Sequence, residues 1–251
     1  MTEQVLVEVC VDSVASALAA ERGGAGRVEL CSNLLEGGVT PSAGLIAAVR
    51  SRISIGLQVM IRPRAGDFCY AEEEIDIMRR DIAVAKDLGA DGVVLGLLNP
   101  EGNVDIDRTC HLVELARPME VTFHRAFDMA ADLLQALEDV CAAGADRLLT
   151  SGGEPTCLQG TSMIARLFTA ARGRIAIMPG GGIGYEDAAS IIESTGVREI
   201  HVGLSSSVRS PMLYRNPRIS MGKAPGREYQ HAQVLEQDVR KLLHTISLSE
   251  T

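Results

Sequence analysis

One pattern recurs along the chain: an amphipathic helical stretch ends in a glycine, and a short apolar run follows it. The pattern is clear after Gly24, Gly89 and Gly144 and weaker after Gly196. These glycines are 65, 55 and 52 residues apart. Because one strand–helix unit takes roughly 30 residues, each interval should hold two such units.

The intervals contain the additional apolar runs that this period requires, and one more run precedes the series. Eight strands are therefore predicted, ending near residues 10, 31, 62, 96, 125, 151, 180 and 203. Between them, residues 72–88 and 132–143 keep apolar side chains on one helical face. Asp105 and Asp132 are predicted helix N-caps, and Gly89 and Gly144 are predicted to end helices in the left-handed conformation.

Eight strands that alternate with helices indicate an α/β protein with a parallel sheet. The two-unit period favours a closed (β/α)₈ TIM barrel over an open doubly wound sheet. No Gly-x-Gly-x-x-Gly motif follows the first strand, so no dinucleotide site and no organic cofactor are expected. We expect one barrel domain over residues 1–251, in which the longest irregular stretch, 205–230, forms a functional or interface loop.

The composition narrows the class of protein. The 251 residues are 46% hydrophobic and 23% charged, which is typical of a folded domain, and the net charge of −9 argues against nucleic acid as a partner. No apolar run approaches the ~18 residues of a membrane span, and the first residues lack the basic start of a secretory signal. The six cysteines are widely spaced, which favours free thiols in the cytoplasm.

Alternation along the strands assigns side chains to the barrel lumen. Glu29 and His201 occupy equivalent positions in the repeat, while Val28 and Leu30 should face the helices. The first strand repeats the Glu-x-Cys phrase of the second. Glu8 and Cys10 should therefore share the lumen face with Glu29 and Cys31.

Polar side chains near the carboxyl ends of the strands form a candidate site, because that end carries the active face of this fold. Buried charges need partners, so Arg62 is expected to pair with at least one glutamate. A lumen ion-pair network without chemistry is an open alternative. The predicted polar pocket consists of Glu8, Glu29, Arg62, His124 and Asp128.

Small residues follow the sixth and seventh strands, where barrels of this type commonly bind phosphate through backbone amides. The predicted anion-binding residues are Ser151, Gly180, Gly181 and Gly182. The glycines would otherwise serve only to make tight turns. With the polar pocket, they suggest an enzyme that acts on a small anionic or phosphorylated metabolite.

Cys10 and Cys31 suggest a different chemistry. Neighbouring strands lie about 4.8 Å apart, so the two thiols can approach one another. Thiolate ligands select soft ions such as Cu(I), and Met60 or His124 would supply a further ligand. Packing of the cysteines as small hydrophobic side chains is the alternative.

Five segments in one order resemble the copper homeostasis protein CutC family. They are Val7–Ser13 (VEVCVDS), Arg27–Cys31 (RVELC), Met60–Arg64 (MIRPR), Thr122–Asp128 (TFHRAFD) and Met178–Ile183 (MPGGGI). The resemblance extends from about residue 5 to the final helix.

The resemblance implies a (β/α)₈ barrel in the cytoplasm, and in a eukaryote also in the nucleus. It implies a role in copper handling, with Cu(I) as partner and Cys10 and Cys31 as its ligands. It also implies a homo-oligomer, either a tetramer or a dimer. A barrel enzyme acting on an anionic metabolite remains the second hypothesis, and an interaction scaffold the third.

Overall fold

The computed structural model describes residues 5–221 and 228–249. Its centre is a ring of eight parallel strands, each short and largely buried. The strands are β1 (Leu6–Val11), β2 (Arg27–Leu30), β3 (Gly56–Met60), β4 (Gly92–Leu95), β5 (Glu120–Phe123), β6 (Arg147–Thr150), β7 (Ala176–Pro179) and β8 (Glu199–Val202). The (β/α)₈ barrel predicted from the repeat is confirmed, and each strand ends within two residues of its predicted position.

The strands follow one another around the ring in the order β7-β6-β5-β4-β3-β2-β1-β8. The ring closes between β7 and β8 through a parallel bridge of Gly180 to His201. In the register, Cys10 lies opposite Glu29 on one side of β1, and Glu8 lies opposite His201 on the other. Three consecutive strands, β8, β1 and β2, therefore carry the central lumen residues.

Helices connect the strands and cover the barrel. They are α1 (Val14–Gly23), α2 (Ala43–Arg50), α3 (Glu72–Asp87), α4 (Ile106–Ala116), α5 (Leu133–Ala142), α6 (Cys157–Ala171), α7 (Tyr185–Thr195) and α8 (Glu236–Ser249). Short 3₁₀ helices at Leu34–Glu36 and Arg125–Met129 follow β2 and β5. Among the described residues, no helix combines the length and apolarity needed to span a membrane.

The helix boundaries follow the local signals in the sequence. The carboxylates of Asp105 and Asp132 accept backbone N–H groups in the first turns of α4 and α5, as N-caps do. Gly89 and Gly144 adopt φ values of 81° and 83° just beyond α3 and α5. Both predicted caps and both predicted terminal glycines are confirmed.

The alternation of side chains is also confirmed. Val28, Leu30 and their counterparts on the other strands belong to the large apolar core between sheet and helices. The lumen instead holds buried polar side chains and a small separate cluster of Cys31, Met60 and Val94. The polar positions of the strands thus converge on the barrel axis.

The stretch after β8 is more regular than predicted. Strand β9 (Ser206–Arg209) lies within 205–230, the range that the sequence had indicated to be irregular, and it pairs antiparallel with β10 (Gln230–Gln233), which begins where that range ends. Alternation over four-residue strands is too brief to stand out among prolines and glycines. Residues 222–227 of this stretch lie outside the described residues.

Candidate functional site

A cavity of about 580 Å³ opens at the carboxyl ends of the strands. This volume lies within the range of small-molecule sites. Apolar side chains form much of its wall: Leu34, Met60, Phe68, Met129 and Leu149. The polar lining comprises Cys10, Glu29, Arg62, His124, Asp128 and His201, with Arg125 and Glu36 beside them.

Two thiols lie together on the side of β1 and β2. The Sγ atoms of Cys10 and Cys31 are 4.0 Å apart, and Cys31 Sγ lies 3.4 Å from Glu29 Oε2. Cys10 lines the cavity, whereas Cys31 is buried and packs with Met60. The separation of the sulfurs is within the reach of a single metal ion.

His201 on β8 connects the carboxylates of the first two strands. Its Nδ1 lies 2.8 Å from Glu8 Oε1, and its Nε2 lies 3.8 Å from Glu29 Oε2. The sequence assigned His201 to the lumen but did not include it among the site residues. The equivalent positions of His201 and Glu29 in the repeat were the signal that could have added His201 to the site.

The two thiols have opposite protonation preferences. A hydrogen bond from Cys31, with support from the nearby His201 charge, outweighs burial and lowers the pKa of Cys10 to about 5. The pKa of Cys31 is raised well above its usual value because it donates to Cys10, is buried, and faces the charges of Cys10 and Glu29. At neutral pH the pair therefore holds one thiolate and one thiol.

The carboxylates and the imidazole beside the thiols also have shifted pKa values, and the shifts of Glu8 and Glu29 are opposite in direction. Burial alone would raise the pKa of Glu8, but the His201 hydrogen bond and the Arg27 charge hold it at about 2. Burial raises the pKa of Glu29 well above its usual value, against the attraction of His201. The pKa of His201 is raised in spite of burial, because Glu29, Cys10 and Glu8 surround it.

An ion-pair ladder fills the lumen below this cluster. Arg27 Nε lies 2.5 Å from Glu8 Oε2, and Arg27 Nη2 lies 2.6 Å from Glu199 Oε2. Arg147 continues the ladder to Glu199 at 2.5 Å and to Glu120 at 3.2 Å. The predicted polar pocket required Glu8 to line the cavity, and this part of the prediction is wrong. The Glu8 carboxylate is fully buried beneath the cavity. The alternative left open by the sequence, an ion-pair network in the lumen, therefore applies to this lower layer of the barrel.

The prediction that Arg62 pairs with a glutamate is wrong. Its guanidinium donates to the backbone carbonyls of Glu36 (2.7 Å), Gly38 (2.9 Å) and Gly66 (2.8 Å). It also lies over the Phe68 ring, 5.0 Å from the centroid. Loops after β2 and β3 fold around the arginine, so carbonyl dipoles replace the expected carboxylate.

His124 lies at the end of β5 with its ring against Phe68, at a centroid distance of 5.0 Å. Its Nδ1 accepts the backbone N–H of Ala126 at 3.2 Å, while its buried Nε2 has no hydrogen-bond partner among the described residues. Burial and the charge of Arg62 lower its pKa to about 3. The ring is therefore neutral, and the proton is on Nε2 because Nδ1 acts as an acceptor.

Asp128 lines the cavity but is heavily hydrogen-bonded within the protein. Its carboxylate pairs with Arg125 at 2.7 Å and accepts hydrogen bonds from Thr150, Gly153 and both the N–H and hydroxyl of Ser151. The Ser151 hydroxyl also accepts a hydrogen bond from Arg125 and lies 2.5 Å from the Glu154 carbonyl oxygen, the other acceptor within reach of its single hydrogen. These bonds tie the loops after β5 and β6 together.

The predicted anion-binding residues fall into two groups. Gly181 and Gly182 line the cavity with φ values of 124° and 71°. Gly180 does not present its N–H to the cavity, because that group donates to the Thr150 carbonyl. Ser151 is fully buried, with its hydroxyl already bonded. Ser151 and Gly180 each lie in the tight turn that follows a strand, β6 or β7, and this position explains why neither presents a free donor to the cavity.

Comparison with known proteins agrees with this architecture. The CutC family model matches residues 5–206. The mouse copper homeostasis protein cutC homolog is 50% identical over 217 residues, which cover 86% of this chain and 80% of that protein. A CutC family protein of Chromobacterium violaceum is 47% identical over 237 residues, or 94% and 96% of the two chains.

A solved structure is similar as well. The CutC structure from Streptococcus agalactiae aligns with a TM-score of 0.75 and 33% identity, covering 79% of this chain and 98% of that one. The family model, the identity to whole relatives and the shared barrel agree. The chain belongs to the CutC family.

Proposed function

We propose that this protein handles copper by binding Cu(I) through the sulfurs of Cys10 and Cys31. The observation that carries the proposal is the 4.0 Å separation of the two sulfur atoms at the cavity floor. The names of its mammalian relatives, copper homeostasis protein cutC homolog, agree with this assignment.

The sulfur separation favours a three-coordinate site. Two metal–thiolate bonds of about 2.3 Å that span 4.0 Å enclose an angle of about 120° at the metal. This angle leaves one position in the same plane for a third ligand. A linear two-coordinate ion would require the sulfurs to separate by about 0.6 Å more.

Met60 is the best-placed third ligand of soft character. It packs with Cys31, and Cys10 packs against the same small cluster. A thioether matches the preference of Cu(I) for soft donors. His124, the other ligand suggested by the sequence, packs instead against Phe68 and Phe123.

The groups around Cys10 and Cys31 stabilise the thiolate of Cys10 but not that of Cys31. Thiolates bind metals, so ligand deprotonation is part of the cost of binding. Cys10 is already deprotonated before the metal binds, because the Cys31 thiol and then the neighbouring His201 cation stabilise its anion and lower its pKa. Cys31 must lose its proton, and Cu(I) would supply the positive charge that compensates for this loss.

We infer that the protein works in a reducing compartment, the cytoplasm, and as a homo-oligomer. All six cysteines are free, as a copper-binding dithiol requires. The segment after β9 exposes large apolar side chains, a feature that supports association with another copy. They are Met212, Leu213, Tyr214, Ile219 and Met221.

A Cu(I) titration against a chromophoric competitor, under anaerobic conditions, tests the copper site. Wild type should bind one tight equivalent, and the Cys10→Ser, Cys31→Ser double variant should lose it. A Cys69→Ser, Cys110→Ser variant is the matched control, because it also removes two thiols. Unchanged stoichiometry in the Cys10/Cys31 variant would refute the site.

A further inference from the structure

The cavity contains a second polar feature in its wall, formed by buried residues that follow β3 and β5. We propose that Arg62 and His124 together bind the carboxylate of a small organic anion, independently of the copper-binding thiols. This site goes beyond copper handling, because it gives the cavity an organic ligand.

The charge of Arg62 has no acidic partner in the part of the chain that the structure describes. Among residues 5–221 and 228–249, no carboxylate oxygen lies within 4.0 Å of its guanidinium, although the residue is 5% exposed. Its three acceptors are neutral backbone carbonyls, which fix the side chain without cancelling its charge. The other cavity arginine, Arg125, is paired with Asp128 at 2.7 Å.

His124 supplies a directional donor next to this charge. Because its Nδ1 accepts from Ala126, its Nε2 carries a hydrogen, and no residue within 5–221 or 228–249 provides an acceptor for that hydrogen. A buried donor left without a partner costs about 1–3 kcal/mol. A ligand oxygen that accepts this hydrogen would remove the cost.

Both residues contact Phe68, which joins them into one unit. The Arg62 guanidinium and the His124 ring each lie 5.0 Å from the Phe68 ring. A cation that is rigidly held, beside a neutral N–H donor, matches an oxyanion. The geometry cannot serve a cationic ligand, which Arg62 would repel.

The surrounding groups favour a carboxylate over a phosphate. Arg62 offers a single unpaired positive charge, because Arg125 is already paired with Asp128, so a doubly charged phosphate would keep one charge uncompensated whereas a carboxylate would not. The wall formed by Leu34, Met129 and Leu149 suits an apolar body attached to that carboxylate. The ligand class is therefore a small monocarboxylate with a short hydrocarbon part.

Three probes test this assignment by ligand-detected NMR: butyrate, its neutral analogue butyramide, and inorganic phosphate. We expect butyrate to bind the wild-type protein and butyramide to bind at least about tenfold more weakly, as befits loss of a charged hydrogen-bond acceptor. Equal binding of the two would overturn the proposal. Binding of phosphate alone would also overturn it, and would point to the Gly181–Gly182 turn instead.

Substitutions at His124 locate the donor. His124→Phe should weaken butyrate binding about tenfold, whereas His124→Gln, whose amide can replace the Nε2 hydrogen, should retain most of it. Arg62→Met should abolish binding. The matched control is Arg50→Met, because Arg50 also donates to two carbonyls but lies outside the cavity lining. Equal butyrate affinity in wild type and His124→Phe would refute the site.

A measurement on the wild-type chain avoids any folding defect of the variants. The ¹⁵N resonance of His124 Nε2 should shift on addition of butyrate and stay constant with butyramide. A resonance unaffected by both would contradict the proposal. Cu(I) stoichiometry should be normal in His124→Phe, so failure of the carboxylate site and failure of the copper site can be distinguished.

Discussion

The Nδ1 of His201 lies 2.8 Å from the Oε1 of Glu8, and both groups are charged inside the barrel. This pair joins the last strand of the ring, β8, to the first, β1, and His201 also bridges to Gly180 where the ring closes. It also links the structural ladder below to the thiols above, because Glu8 binds Arg27 while His201 acts on Cys10.

The first prediction concerns the reactivity of Cys10. Its pKa of about 5 means that the thiolate is already formed at neutral pH. The rate of alkylation by iodoacetamide, followed by mass spectrometry of the Cys10 peptide, should rise with a midpoint near pH 5 and then level off. His201→Gln should move the midpoint upward, because it removes a charge that stabilises the thiolate. A wild-type rate that continues to rise through pH 8 would contradict this account.

The second prediction concerns stability against pH. The folded pKa of His201 is raised above its ordinary value of 6.5, so its contribution is complete below pH 6.5 and is lost as pH rises toward the folded pKa. Glu8 is ionised throughout this range and adds no slope, but the Cys10 thiolate would add an opposite slope, so both proteins carry Cys10→Ser. In that background, the difference in free energy of unfolding between the chains with His201 and with His201→Gln, from urea denaturation, should shrink between pH 6 and pH 9. A difference that grows over that interval would refute the assignment.

The third prediction concerns the ladder in the lumen. Arg27→Met leaves Glu8 and Glu199 without their shared partner in the interior, which should cost about 3–5 kcal/mol of unfolding free energy. Arg240→Met is the matched control. It breaks an exposed pair with Glu236 and should cost less than about 1 kcal/mol. Equal losses in urea denaturation would show that the ladder contributes no more than a surface pair.

The fourth prediction uses glycines near the thiols. A Cβ at Gly38 would lie 3.0 Å from Cys31 Sγ, and φ at this residue is +86°. Gly38→Ala should therefore displace Cys31 and weaken Cu(I) binding, in addition to about 1–2 kcal/mol of backbone strain. Gly203→Ala is the control: this residue lines the cavity, but a Cβ there meets no atom of the described residues within 4 Å. Similar Cu(I) affinities for the two variants would be evidence against the location of the site.

The barrel could be predicted because its signals are local and repeated. Gly89 and Gly144 end helices through their own conformational preference, and the apolar runs after them are strand-sized. The period of two along each strand then fixes which side chains face the axis. Cys10 and Cys31 could be placed together for that reason, since the same phrase occurs on consecutive strands.

The partners of the buried charges could not be predicted in this way. Arg62 is bound by carbonyls of Glu36, Gly38 and Gly66, which lie in loops whose path depends on the whole fold. The ladder from Arg27 to Glu120 lies at the strand starts, away from the face where chemistry was expected. The alternation of side chains along each strand assigns such residues to the barrel axis, but it does not determine which of them form ion pairs.

X-ray absorption at the copper edge, on wild-type protein loaded with one equivalent of Cu(I), tests the central claim most directly. We expect a shell of sulfur neighbours at about 2.3 Å from the copper, with three sulfur scatterers in wild type and two after Met60→Leu. A first shell of only nitrogen or oxygen neighbours in the wild-type protein would contradict the assignment of Cys10 and Cys31 as the copper ligands.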